Sequence, residues 1–264
     1  MEVSKLFSVE KQTVLITGGS RGIGKMIAEG FVRNGARVYI SARSEKDCDE
    51  TAAELTAAGP GECIPIPEDL GSIEGCLRLA AALQQRESKL DVLVNNSGVA
   101  WAGGFGGHTP EMWSKVMDLN LTAPFFLTKY LLPLLQTNAR IIMVGSVAGR
   151  RPQSYGSYAY DVSKAALHHL TRVLAADLAP RQITVNAIAP GLVPTKMTRH
   201  VPTISGKNHD GFAKDTVPLQ RPGGPSDMAG ATLFFASPAG AWVTGAVLSV
   251  DGGQYEATHI GAKL

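Results

Sequence analysis

The sequence predicts an α/β fold, a doubly wound sheet of about seven parallel strands with helices on both faces. Three observations carry that prediction. Short Val- and Ile-rich runs alternate with longer amphipathic stretches from residue 12 to about residue 250. The short runs are almost continuously apolar, as strands covered on both faces are, instead of alternating apolar with polar. No linker, repeat or low-complexity tract interrupts the series, so residues 1–264 read as one domain.

In chain order the expected strands are TVLITG, ARVYISA, CIPIP, DVLVNN, RIIMVGS, ITVNAIAP and AVLSVDG. Between them, stretches such as IGKMIAEGFVRNG, DCDETAAELTAAG, IEGCLRLAAALQQ and SKAALHHLTRVLAADLA have helical periodicity. Sheets of this kind bind ligands at the carboxyl ends of their strands, so chemistry is expected in the loops that follow them.

Bulk properties exclude several function classes. A hydrophobic content of 44% and a charged content of 18% fit a globular chain with a sizeable core. A net charge of +2, without a dense Lys/Arg run, argues against nucleic acid or an anionic membrane as partner. Cys48, Cys63 and Cys76 have neither disulfide-framework nor zinc spacing, which points to a reducing compartment. The start, MEVSKLFSVEK, lacks a signal-peptide core, and no apolar run is long enough to span a bilayer, so a soluble intracellular protein is expected. The ending Ala262-Lys263-Leu264 differs by one residue from the S-K-L peroxisomal address, so the import receptor is a candidate partner; chance is the competing explanation.

The first strand ends in TGGSRGIG, residues 17–24, and runs directly into a helix. Gly18, Gly22 and Gly24 would allow a tight turn and close backbone approach, with the helix N-terminus offering N–H groups to a pyrophosphate. At the end of the second strand, where an acidic residue would hold the ribose of NAD, the sequence has Ala42 and then Arg43. Arg21 in the glycine turn can reach the same place, with Ser20 and Ser41 nearby. Two guanidiniums suit a 2′-phosphate, so NADP(H) is the expected cofactor; solvated loop arginines are the plain alternative.

In YAYDVSK, residues 158–164, only Tyr160 stands four residues before Lys164 and shares a helix face with it. A surface aromatic beside a lysine stem would satisfy that pattern too. What distinguishes this chain is the fixed order of the glycine turn, NNSG after the fourth strand, Asn120 in MDLNLTAPF, Ser146 in GSVAG, the Tyr160/Lys164 pair, Pro190-Gly191 and TGAVLSVDGG. That order resembles the short-chain dehydrogenase/reductase family, whose fold is of the Rossmann type, over nearly the whole chain. SKAALHHLTRVLAADL and APGLVPTKMTRH are most similar to its NADPH-dependent β-ketoacyl reductases.

The resemblance implies roles for individual residues. Tyr160 would be the general acid/base, Lys164 its partner, Ser146 the hydroxyl that orients the carbonyl, and Asn120 the holder of a relay water. Gly18, Arg21, Ile23 and Gly24 would form the pyrophosphate loop, with Ser20, Gly22 and Arg43 as further cofactor contacts. Asp69 would lie at the adenine, Asn96 and Gly98 beneath the adenosine ribose, and Thr195 at the nicotinamide carboxamide, with Leu70, Pro190, Gly191 and Val193 as further cofactor contacts. Ser97, where alanine is usual, and Pro194 are the small departures. Oligomers, most often tetramers, are also implied.

The expected chemistry is hydride transfer to a ketone with proton donation from Tyr160. A free tyrosine titrates near pH 10, and a neighbouring Lys164 charge is expected to lower that value and to reach the nicotinamide ribose. Residues 192–225 are expected to form a lid, with Met197, Val201, Phe212 and Val217 as an apolar wall. Trp101, Tyr155 and Phe105 are candidates for the other side of a substrate site. His168 and His169 are expected to pack or to meet another subunit, and no histidine shows metal-ligand spacing. The substrate class stays open between a β-ketoacyl thioester and a natural-product ketone. An alcohol or polyol dehydrogenase and a non-catalytic dinucleotide-binding scaffold are the competing functions.

Overall fold

Strands form at all seven apolar runs of the computed structural model, which describes residues 2–153, 156–199 and 206–255. They are β1 Thr13–Thr17, β2 Arg37–Ser41, β3 Glu62–Pro65, β4 Val92–Asn95, β5 Arg140–Val144, β6 Thr184–Pro190 and β7 Val247–Val250. All neighbouring pairs are parallel, in the order β3-β2-β1-β4-β5-β6-β7. The expected doubly wound sheet is therefore present. The chain leaves β1 in one direction and returns beside it as β4, so the order reverses between those two strands and opens a crevice at their carboxyl ends.

The helices are α1 Val3–Leu6, α2 Gly22–Arg33, α3 Glu45–Ala58, α4 Ile73–Gln84, α5 Pro110–Met117, α6 Ala123–Leu131, α7 Tyr158–Leu178, α8 His209–Thr216 and α9 Pro225–Ala236. Side chains set several of their starts. Ser44, Ser72, Thr109 and Asn208 each accept a hydrogen bond from a backbone N–H of the first turn beyond them. Two apolar layers sandwich the sheet. On one face Leu79, Leu127, Leu131, Leu167 and Leu174 pack α4, α6 and α7 against it. On the other, Ile27, Phe31, Leu55, Met228 and Phe235 do so for α2, α3 and α9.

Between α5 and α6 the helix widens into one π turn, Asp118–Thr122. The Ala123 N–H reaches back five residues to the Asp118 carbonyl, and Pro124, next in the chain, has no N–H to give to the Asn120 carbonyl. The 192–225 stretch contains α8, and Leu192, Ala213 and Val217 form a small core of their own with Phe212 against it. Phe212 and Val217 are thus packed inside that segment instead of forming an open wall.

Helices α2 and α9 meet at Gly30, where an added Cβ would stand 2.6 Å from the Ala229 Cβ. Gly30→Val should therefore cost on the order of 1–3 kcal/mol or more by overpacking. Equilibrium denaturation checks this, and an unchanged midpoint would mean the two helices separate freely.

Candidate active site

The crevice is built by backbone brought into close contact. The Thr17 hydroxyl accepts from the N–H groups of Asn96 and Ser97, both at 2.9 Å. The Asn96 amide donates to the carbonyls of Thr17 at 2.7 Å and Gly18 at 3.1 Å. These bonds tie the ends of β1 and β4 together. Gly18 and Gly22 have φ of +65° and +56°, the left-handed region that glycine enters without a Cβ penalty. At Gly24 a Cβ would lie 2.2 Å from the Gly18 carbonyl oxygen, so the helix can start here only with glycine. The turn and the α2 N-terminus form a cradle that a side chain would fill, and this fits a pyrophosphate.

The other expected nucleotide contacts surround that cradle. Ile23 is half-buried beside it, and Ser20 is buried with its carbonyl accepting from Thr51. Arg21 caps α2 in extended backbone, and both it and Arg43 are exposed at the carboxyl edge of β1 and β2. Asp69 is exposed in the loop after β3, whereas Leu70 buries its side chain in the core and leaves only its backbone for a ligand. Thr195 approaches the glycine turn directly, with its Cγ2 3.4 Å from where a Gly22 Cβ would be. Pro190 and Gly191 close the end of β6, and Val193 turns its side chain into the core.

Gly98 links this cradle to the titratable groups. A Cβ there would lie 3.2 Å from Asn120 Oδ1 and 3.7 Å from Lys164 Nζ. Asn120, fully buried in the π turn, holds Val99 at both backbone groups, accepting from its N–H at 2.8 Å and donating to its carbonyl at 2.9 Å. Its amide also donates to Ser163 Oγ at 3.0 Å, and that hydroxyl donates to the Tyr160 carbonyl at 2.7 Å. Ser163 is a member of the constellation that sequence reasoning missed, although its place three residues after Tyr160 was a usable signal.

Tyr160 is half-buried, hydrogen-bonded to Ser146, and has Lys164 Nζ 5.7 Å from its ring centroid. Lys164 is buried and donates to the Val144 carbonyl at 2.7 Å. Here the structure corrects one expectation. Burial raises the Tyr160 pKa above the ordinary tyrosine value, while the Ser146 hydrogen bond acts in the opposite direction and Asp161 adds to the rise. Lys164 is itself desolvated, and burial pushes its own pKa down to about 8.

Trp101 is exposed and donates from its ring N–H to the Gly107 carbonyl at 3.2 Å. Phe105 and His108 both stand edge-on to Tyr158, with centroids 5.8 Å and 5.3 Å away, so the glycine-rich loop leans on the start of α7. His108 was not anticipated as part of this cluster. Met197 is exposed near Thr195. Tyr155, Val201 and Ala262-Lys263-Leu264 lie outside the described residues. Among the described residues there is no group of three or more His, Cys, Asp or Glu able to hold a metal, and no helix long and apolar enough to cross a membrane.

The depressed lysine has a consequence for stability. Its folded value of about 8 lies below the ordinary 10.5, so between those pH values the unfolded chain binds more protons. Stability should therefore rise with pH across that window and fall as pH drops through it. Lys164→Met should lack this rise. Denaturation midpoints measured from pH 7 to 11 check it, and parallel curves for the two proteins would contradict it.

Comparison with known proteins accords with this geometry. Residues 18–255 match the family model described as enoyl-(acyl carrier protein) reductase. The rhamnolipids-biosynthesis 3-oxoacyl-[acyl-carrier-protein] reductase of Pseudomonas aeruginosa is 44% identical over 255 residues, spanning 94% of this chain and 97% of that protein. The human dehydrogenase/reductase SDR family member 4 is 34% identical over 245 residues, spanning 92% of this chain and 87% of the relative. A Pseudomonas aeruginosa protein solved as an NADP active-site complex superposes with a TM-score of 0.89 at 43% identity, covering 97% of this chain and 100% of the other. The chain belongs to the short-chain dehydrogenase/reductase family.

Proposed function

We propose that this protein is an NADPH-dependent reductase that converts a ketone to an alcohol, with a 3-oxoacyl thioester as the substrate class. The observation that carries the proposal is the Tyr160 hydroxyl, hydrogen-bonded to Ser146 and backed by Lys164, at the strand ends next to the glycine cradle. Two relatives support the ketone: the 44%-identical 3-oxoacyl reductase and a tetrahydroxynaphthalene reductase of Pyricularia oryzae, 32% identical over 256 residues. NADP in the structural neighbour supports the cofactor, as do Arg21 and Arg43 at the edge of the cradle.

NADPH bound in the cradle supplies the hydride. The chain's own residues do the rest. Ser146 and Tyr160 grip the carbonyl oxygen, and holding it in line removes much of the entropic barrier to reaction. As negative charge grows on that oxygen, the Tyr160 proton passes to it. A phenol kept above its ordinary pKa by burial stays protonated at neutral pH, which is the state an acid needs. The Lys164 ammonium, held on the Val144 carbonyl, favours the phenolate that remains. Asn120 fixes the backbone at Val99, and its own carbonyl, which Pro124 cannot bond, is proposed to hold a water for reprotonation.

The stretch 192–225, carrying Thr195 and Met197, is proposed as the lid of a single catalytic domain, with Trp101 and Phe105 on the opposite side. Homo-oligomerisation is part of the proposal, supported by the fully exposed Trp242 and by Leu248, exposed on the edge strand β7. For a chain that ends at Ala262-Lys263-Leu264, the peroxisomal address is proposed as well, testable by fusing that tripeptide to a fluorescent reporter.

The family model's description favours a second reading, reduction of an enoyl thioester. A panel of 3-oxoacyl thioesters, enoyl thioesters, aryl ketones and polyols, each with NADPH and NADH, separates the readings. The 3-oxoacyl thioesters should turn over with NADPH, and enoyl thioesters should not. Tyr160→Phe should lower kcat by about 100-fold or more and spare NADPH binding. Arg21→Ala with Arg43→Ala should raise the NADPH KM about 10- to 100-fold and leave NADH nearly unchanged. Unaltered turnover in Tyr160→Phe would overturn the assignment.

A further inference from the structure

We propose that His168 is a positioning residue for Ser146: its unprotonated Nε2 accepts the Ser146 backbone N–H and thereby sets where the Ser146 hydroxyl meets Tyr160. The kinetic consequence rests on the reductase reading above; the structural one does not.

Lys164 and His168 are one turn apart on α7, and both are buried. They grip the end of β5 at successive places. Lys164 Nζ donates to the Val144 carbonyl, and His168 Nε2 takes the Ser146 N–H at 3.4 Å. Gly145, between them, is pressed against the imidazole, since a Cβ there would lie 2.2 Å from Nε2. Gly145 N–H already closes on Ile188 O at 2.8 Å, which is the last bond of the β5–β6 ladder. The Ser146 amide therefore lies just past the sheet, buried and without a strand partner. Such an N–H needs an acceptor, and the ring provides it.

The bond also dictates the tautomer. A backbone N–H can only donate, so Nε2 must carry a lone pair and the ring proton must be on Nδ1. The Gly149 carbonyl is the backbone acceptor beside the ring. The charged groups facing the ring are Lys164, Arg150 and Arg172, all cations. Together with burial they push the His168 pKa down to about 4, so the accepting form persists throughout the neutral range. Ser146 is then held twice, by its N–H on His168 and by its Oγ, which accepts from Ala148 N–H at 3.1 Å. Its hydroxyl proton is left to point away from that turn.

Two substitutions separate an acceptor from a mere space-filler. His168→Leu keeps the bulk and removes the acceptor, whereas His168→Gln can restore it with Oε1. In His168→Leu the Ser146 amide should exchange with solvent deuterium about tenfold faster than in the wild type, with Ile142 and Met143 unchanged. Its kcat should fall about 10- to 100-fold at constant NADPH affinity, and His168→Gln should recover to within about threefold. Equal Ser146 protection in the wild type and His168→Leu, or a Gln variant as impaired as Leu, would overturn the proposal. If the exchange pattern holds while the wild type reduces no ketone, the positioning role stands and the reductase reading fails. Should His168→Leu not fold, the nitrogen NMR spectrum of the wild-type ring decides: a proton on Nδ1 is required, and a proton on Nε2 contradicts the proposal.

Discussion

The short backbone stretch from Asn95 to Gly98 is the constraint on which the site depends. On one side it is tied to the end of β1 through the Thr17 hydroxyl and the Asn96 amide. On the other, Gly98 runs close to Asn120 and Lys164, where a Cβ would stand 3.2 Å from Asn120 Oδ1 and 3.7 Å from Lys164 Nζ. One strand end therefore touches both the nucleotide cradle and the titratable groups. The two halves of the chemistry stay in register because they share a backbone, and the reversal of strand order between β1 and β4 puts that backbone at the crevice.

Burial of Lys164 is the electrostatic counterpart. Among the described residues it has no carboxylate partner; its ammonium is held by the Val144 carbonyl. A desolvated cation with only dipolar support is destabilised, which is why its pKa falls to about 8. Placed behind Tyr160, the same charge becomes most effective once negative charge develops nearby. Fixed charges and dipoles in a water-poor site need little reorganisation at that moment. The fold tolerates this because two apolar layers on a seven-stranded sheet stabilise the rest of the chain.

Much of this was legible in the chain. The seven apolar runs became seven strands, and the four-residue interval put Tyr160, and not Tyr158, on the helix face of Lys164, although it was the order of the surrounding motifs that gave the pair its weight. Glycines after β1 signalled the cradle because close approach permits no other residue. What was hidden depended on surroundings. Periodicity assigned His168 to packing, but it does not say which part of a backbone a buried ring will meet. Phe212 and Val217 were expected as a substrate wall, yet Leu192 and Ala213 supplied a nearer apolar partner. The rise in the Tyr160 pKa comes from burial, with Asp161 adding to it and the Ser146 hydrogen bond opposing it, and spacing alone cannot weigh these.

The most direct test of the account follows the hydride itself. NADPH carrying deuterium at the transferring position is supplied with a 3-oxoacyl thioester, and the product is read by mass spectrometry and NMR. The account predicts one deuterium on the former carbonyl carbon of a hydroxyacyl product. No label in the product, or label appearing only when an enoyl thioester is supplied, would contradict it.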